Sequence, residues 1–515
     1  MKPHSFSHFK HWGIVTDLPP EEVDPRFWTD CSNFRFQDQA CVRVGGYDAF
    51  ADPLLGAPIF AMQCQLGSVA YWIYCGNQNV WVTDGDIHWD ITPTGGLSLC
   101  EAGDWTGCLL NGIPVLSNGV NEPIYWNFNT AARCVKLPGW PAGASCLAIR
   151  AFKYHLFALN IFDGGTRQPN TIWWSAGAAP GAIPQEWVPD PDNDAGDMVL
   201  ADGGGDVVDG LALRDTFVVY KQTATFALNY VAGQYVYTQR KLFLTSGLQG
   251  RNCVMELNGE HWCFTGTDVI RHDGQNFTSL VENKTKHRIV ERIDPDRTKL
   301  CCVSQRARAQ QFWVCIPENG KSDLSVAYVF NVITGDCGVR ELPGVVFAAR
   351  GLVTTSGDNI SWDSDTTPVA WDDDVGMWDQ ASFSPTYDSM LMCDAQASKL
   401  WNVDNTDLAD GQPMYAFLER QSLPINNPIQ RALIVRVLPR ITGGVGETLQ
   451  IRVGSQAAFG APINWSPPQP FIIGQDIKVD MQTEGRLISV RFEGTTRQQW
   501  KLHSYRLEAV DLGLF

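Results

Sequence analysis

The sequence predicts an all-β chain: an irregular β-propeller of roughly six blades with an additional C-terminal antiparallel β-sandwich-like domain. Three observations predict it. Short runs rich in Trp, Tyr, Phe, Val and Ile recur between Gly, Asn and Asp clusters, while long apolar stripes of period 3.6 are absent. The central aromatics of successive units, Trp81, Trp126, Trp173, Phe226, Trp262 and Trp313, stand 45, 47, 53, 36 and 51 residues apart, close to the roughly 40–50 residues of one propeller blade. Beyond about residue 413 the pattern becomes strictly alternating, as in a sheet with one buried and one wet face. The repeat carries no WD or kelch signature, so a large irregular sandwich of similar hairpins is the competing architecture.

The elements follow in order. Residues 1–56 read as an N-terminal arm and first strands. Residues 57–350 read as propeller blades: in 69–91, VAYWIYC, GNQN, VWVT, DGD and IHWDI alternate strand and tight turn, and 107–137 repeat the style around an Asn111-Gly112 turn. Residues 351–411 are an Asp-rich region that completes the propeller or forms a gate. They hold twelve Asp, no Glu and one Lys, interleaved with Trp362, Trp371, Trp378 and Trp401. Asp favours turns, so the plain reading is solvated loops; the sharper one is a wall that repels phosphate or holds cations. Residues 412–515 form the C-terminal antiparallel domain, where Leu449, Ile451 and Val453, then Ile488, Val490 and Phe492, alternate with polar neighbours.

Composition narrows the function. The 515 residues are 44% hydrophobic and 18% charged, a packed chain rather than a disordered one. The net charge of -17 disfavours a nucleic-acid clamp. That charge is uneven: residues 421–515 carry +3 and the first 420 carry -20. No apolar run reaches the ~18 residues of a membrane helix, so no membrane span is expected, and the N-terminus lacks a secretory h-region. The 15 cysteines are odd in number, form no CxxC and sit in apolar runs such as YWIYCG and FWVCIP, which reads as small core side chains.

Known catalytic and ligand-binding motifs are imitated but not completed. The acidic run from Asp190 fails as an EF-hand, since position twelve is Ala201. Gly320, Lys321 and Ser322 imitate the end of a phosphate loop, but the leading glycine position is Cys315. Ser98 and Ser145 lack the final glycine of a nucleophile elbow. His261, His272 and His287 are the nearest approach to a zinc set, and Asp372 with Asp374 could pair as glycosidase carboxylates. The expectation is no catalytic residue, no cofactor, no metal and no enzymatic activity.

The opening segment, with Gly13 and Ile14, Pro19 and Pro20, Asn33 to Phe36, and Arg43 to Gly46, resembles that of tail nozzle proteins (tail tubular protein B type) from short-tailed bacteriophages. Blocks similar to that family continue in order: RAFKYHLFALNIFDGG, PNTIWWSAGAAPGAIPQEW, RDTFVVYKQTATFALNYVAG, RKLFLTSGLQG, EGRLISVRFEG and WKLHSYRLEAVDLG. The chain departs from the pattern at Gln37-Asp38-Gln39, where a glycine turn is usual. The resemblance implies a β-propeller joined to further β domains, assembled as a homohexameric ring that conducts and gates viral DNA without binding it specifically. Its implied partners are further copies of itself, the tail adaptor and portal-proximal proteins, and tail fibres or spikes. It would reside in the virion tail, and in the host cytoplasm during assembly. On that reading Asp363, Asp365, Asp372, Asp373, Asp374 and Asp379 are candidates to line the lumen or gate. Trp12, Pro19, Pro20, Phe27 and Trp28 are candidates for the adaptor or subunit interface, since aromatics anchor such surfaces. The alternative is a carbohydrate-binding or glycoside-hydrolysing β-propeller, with Trp platforms for sugars.

Overall fold

A computed structural model describes residues 4–7, 12–67, 69–231, 236–354, 386–425 and 430–513. The fold is all-β, and among the described residues the strands build seven four-stranded antiparallel units. Blade one is Phe60–Leu66, Val69–Cys75, Val80–Thr83 and His88–Asp90. Blade two is Thr106–Leu110, Ile113–Ser117, Ile124–Tyr125 and Val135–Lys136. Blade three is Ser145–Phe152, His155–Asp163, Thr166–Trp174 and Gly196–Val199. Blade four is Val207–Leu213, Thr216–Lys221, Thr225–Tyr230 and Tyr237–Phe243. Blade five is Val254–Leu257, Glu260–Phe264, Val269–His272 and Phe277–Ser279. Blade six is Cys302–Arg306, Gln311–Ile316, Leu324–Asn331 and Cys337–Val345. Blade seven is Phe347–Thr354, Thr386–Asp394 and Lys399–Val403, completed by Tyr47–Phe50.

From blade two to blade seven the first strand of each blade lies against the first strand of the next, and blade seven returns to blade one. Between blades one and two the contact is close: a Cβ on Gly107 would lie 2.6 Å from Met62 Sδ, so any larger residue there displaces that side chain. The ring is closed by a strand from upstream of blade one: Tyr47 pairs with Val403 and Phe50 with Leu400. Seven units are present where the aromatic spacing suggested roughly six, because blade seven is assembled from both ends of the propeller segment and leaves no single repeat to count.

The second body is a two-sheet sandwich. One sheet runs Asp30–Ser32, Met414–Pro424, Leu487–Thr496, Thr448–Gln456, Asn464–Trp465, with Gln469–Ile472 also on Thr448–Gln456. The other runs Phe34–Gln37, Ala40–Arg43, Trp500–Gly513, Arg431–Gly443, Val479–Gly485. The expected alternation is present: Leu449, Ile451, Val453, Ile488, Val490 and Phe492 are all buried. Residues 30–43 belong to this sandwich, whereas residues 47–50 belong to the propeller. The second sheet is continuous with blade six through the Phe34–Val339 pairing, making ten strands with His4–Ser7. All fifteen cysteines are free thiols, fourteen buried and Cys108 half-buried, as their apolar settings indicated.

Candidate functional site

The lumen candidates Asp363, Asp365, Asp372, Asp373, Asp374 and Asp379 lie outside the described residues, as does the Asp372–Asp374 pair. What is described is the frame that flanks them. Thr354 and Thr386 are paired neighbours at the ends of two antiparallel strands of blade seven.

The arm packs on its own chain. Trp28 is buried, with its ring 6.1 Å from that of Phe492 and 5.7 Å from that of Tyr505. It is a core residue of the sandwich and offers no side chain to a partner. The carbonyls of Pro20 and Val23 accept hydrogen bonds from the buried Arg420 guanidinium at 2.7 and 2.6 Å. Further back, the Ile14 amide donates to Cys337 of blade six and the Asp17 amide to Lys284. The arm therefore straps the sandwich to the propeller. Pro19 is exposed, and Trp12 and Phe27 are half-buried. Arg26 lies 3.6 Å above the Trp12 ring, and Phe27 meets it edge-on at 5.7 Å.

Trp12 and Phe27 form one wall of a groove of about 480 Å³, whose other side includes Asp38, Gln39, Lys284 and Asp336. Here the departure from the nozzle pattern takes a physical form. Asp38 and Gln39 adopt φ +52° and +61°, the left-handed pair a type I′ hairpin turn requires and glycine adopts most easily. The turn joins Phe34–Gln37 to Ala40–Arg43 without glycine.

Charge in matched pairs joins the first, axis-side strands of blades two to five. Arg150 on the inner strand of blade three donates to both oxygens of Asp209 in blade four, at 2.8 and 2.7 Å, and to Gly107 of blade two at 3.0 Å. The Asn252 side chain accepts from Arg150 at 2.9 Å, and its amide donates to Asp209 at 2.9 Å. Arg251 donates to the Asp104 carboxylate at 2.7 Å. Burial opposes charge on Arg150, but the Asp209 carboxylate outweighs it and raises the arginine's pKa. Both carboxylates are engaged by guanidinium groups.

His261 and His272 meet on Tyr220 between blades four and five, and the hydrogen bonds fix their tautomers. The Ala212 carbonyl accepts from His261 Nε2 at 2.9 Å, so His261 Nδ1 accepts from the Tyr220 hydroxyl at 2.6 Å. His272 Nε2 then donates to the Tyr220 oxygen at 2.6 Å, and its Nδ1 accepts from the Gly274 amide at 3.2 Å. Every ring nitrogen is engaged, so none is left to ligate a metal. Burial lowers the two pKa values to about 3 and about 4. His287 lies apart, its amide donating to Asp17. Among the described residues, no group of three or more His, Cys, Asp or Glu converges as a metal set.

A further cluster joins the two bodies and was not singled out by sequence. Asp404, just past blade seven, receives Arg35 at 2.9 Å, Arg340 at 2.5 Å and Arg306. Burial alone would raise its pKa; Arg340, Arg35 and Arg306 together hold it well below the usual carboxylate range.

No family model matches the chain, and no curated protein matches it. Among solved structures, the chain is similar to YCF48 bound to D1 peptide, at 10% identity and a TM-score of 0.35 over 59% of this chain and 92% of that one. It is also similar to an exo-β-1,3-galactanase from Phanerochaete chrysosporium with galactose (10% identity, TM-score 0.26, 90% and 100% covered) and to a glycoside hydrolase (9%, 0.26, 87% and 99%). With glycoside hydrolases among these structures, the expectation that the chain has no enzymatic activity is corrected: it does not stand.

Proposed function

We propose that the chain is a structural subunit of a short phage tail, a nozzle that assembles as a homohexamer, docks to the adaptor and tail fibres, and lets viral DNA pass without specific binding. The observation that carries this reading is the way the two bodies are welded. A ten-stranded sheet runs from blade six into the sandwich, the arm straps across the joint, and Asp404 gathers three arginines at it. Such a joint resists hinge motion and suits a load-bearing part. The order of sequence blocks shared with the nozzle family supports the same reading, as does a net charge of -17, which keeps phosphate contacts few.

A second reading, a carbohydrate-binding or glycoside-hydrolysing propeller, is favoured by the groove at Trp12. An aromatic wall facing amide and carboxylate side chains is a chemistry that suits a sugar face and its hydroxyls. Electron microscopy of the purified protein with its adaptor separates the two, alongside incubation with galactans and other glycans. The nozzle reading expects a six-fold tube. A monomer that binds or cleaves glycan and forms no tube would overturn it.

A further inference from the structure

We infer that copies of this chain join head to tail, the C-terminal sandwich of one copy seating on the outer edge of blade three of the next. The contact deepens the ring reading above, on which it rests for the number of copies.

The first surface is an open cavity of about 690 Å³ on the sandwich, lined by Leu438, Arg440, Ile441, Phe471, Ile477 and Arg506. Lys501 is exposed on the strand that pairs with the strand carrying Arg440, and Arg440 and Lys501 together contribute to lowering the pKa of His503 beside them, after burial. The rim is apolar and uncovered: Ile477 is 79% exposed and Val445 73%. One carboxylate, Asp476, also lines the cavity, and it accepts from the Ile472 amide at 2.7 Å. Positive charge beside exposed aliphatic side chains is the makeup of an interface that recognises an acidic, partly apolar partner.

The second surface has the opposite character. In blade three, Gly196–Val199 is the outermost strand and pairs on one side only among the described residues. Asp192 and Asp197 are exposed there, next to Val188 at 62% and Val199 at 54% exposure. An unpaired sheet edge with aliphatic side chains and carboxylates matches the sandwich cavity in both apolarity and sign.

The two surfaces cannot meet within one copy. The sandwich is fused to blade six, and in a seven-membered ring blade three is three blades away in one direction and four in the other. Complementary patches on opposite sides of a molecule make a heterologous contact, which closes into a ring or propagates as a filament. The chain-wide charge split, -20 before residue 421 and +3 after it, has the same polarity.

The test is sedimentation velocity on the full chain at low salt, with two charge-reversed variants and a check that each melts like the parent. Arg440→Glu with Lys501→Glu reverses the cavity; Asp192→Lys with Asp197→Lys reverses the blade edge. Each variant alone should associate at least about tenfold more weakly than the parent. A 1:1 mixture should recover association, because each reversed face then meets its reversed counterpart. Variants that associate like the parent, a mixture that fails to recover, or a parent monomeric at every concentration would overturn the contact. The hexameric reading fails separately: a mixture that recovers into a ring of another order supports the contact and overturns the hexamer. Six copies joined through other surfaces do the reverse.

Discussion

The propeller axis and the propeller–sandwich joint are both closed by buried and half-buried arginines, but in different stoichiometry. At the axis each guanidinium has its own carboxylate: Arg150 with Asp209 and Arg251 with Asp104, both at 2.7 Å. At the joint one carboxylate, Asp404, serves Arg35, Arg306 and Arg340. The surplus positive charge is spread over other acceptors there. Arg340 donates to the carbonyls of Gly45 and Gly46 at 3.0 and 3.1 Å and lies 5.1 Å from the Trp313 ring. Matched pairs make two residues equally necessary, whereas an overloaded carboxylate makes one residue necessary and each of its partners partly redundant.

The sharpest way to break that comparison is Asp404→Asn. Asn keeps the shape and tolerates the φ of +57° at this site; the change removes the charge, replaces one accepting oxygen with an NH2 donor, and leaves three guanidinium groups facing one another. A loss near the top of the about 3–5 kcal/mol range for a broken buried pair is expected, read as a fall in the urea midpoint. At the axis, Asp209→Asn and Arg150→Met should each cost about 3 kcal/mol, and about equally. A cost under about 1 kcal/mol for Asp404→Asn would dismiss it as the keystone of the joint.

How far these features could be read from sequence depended on whether they are local. The alternation of Leu449, Ile451 and Val453 is a property of neighbouring residues, and so is the apolar setting of each cysteine; both lead directly to burial. Blade seven is not local. Its strands come from residues 47–50 and 347–403, so a search for period finds no unit there. Arg150 and Asp209 are 59 residues apart, one blade step along the ring, and nothing in either segment announces the pair. Asp404 sits in a stretch of twelve Asp, where composition suggests solvated turns for all alike. Trp28 stands among the interface candidates because it is an aromatic in an N-terminal arm that lacks the alternation of a sheet strand. The arm crosses from blade six to the sandwich, held by single backbone hydrogen bonds and the isolated Ile14–Trp28 bridge rather than by a regular strand ladder.

A third buried cluster sharpens the comparison by doing without charge. His261 and His272 are neutral in the Tyr220 relay, with pKa values lowered by burial to about 3 and about 4, against about 6.5 in an unfolded chain. Above pH 6.5 both states are neutral and nothing is lost. As pH falls below 6.5 the unfolded chain takes up protons that the folded relay refuses, so stability drops until the folded pKa values are reached. Down to pH 4.5 the loss is at most about 2.7 kcal/mol per histidine. His272→Gln retains a donor toward Tyr220 and removes one titration. Its urea midpoint should therefore fall less between pH 7 and pH 4.5 than that of the parent; an equal fall would take the relay out of the acid response. The joint should contribute little in that window, because Asp404 is held by its arginines well below the usual carboxylate range.

The smallest effect belongs to Arg35→Met, and it tests the redundancy of the joint directly. Arg35 contributes one contact to Asp404 at 2.9 Å, but its buried Nε has no hydrogen-bond partner. Its positive charge also adds to the surplus that Arg306 and Arg340 already supply. Methionine keeps most of the aliphatic packing, removes the unpartnered donor, and leaves Asp404 bound by two guanidinium groups. The lost ion pair and the relieved repulsion oppose each other, so the midpoint should move by less than about 1 kcal/mol in either direction. Arg150→Met, the same substitution at an arginine with an unshared carboxylate, should cost about three times as much. Equal costs at the two sites would mean that the one-to-three arrangement confers no redundancy, and that the joint is held as the axis is, pair by pair.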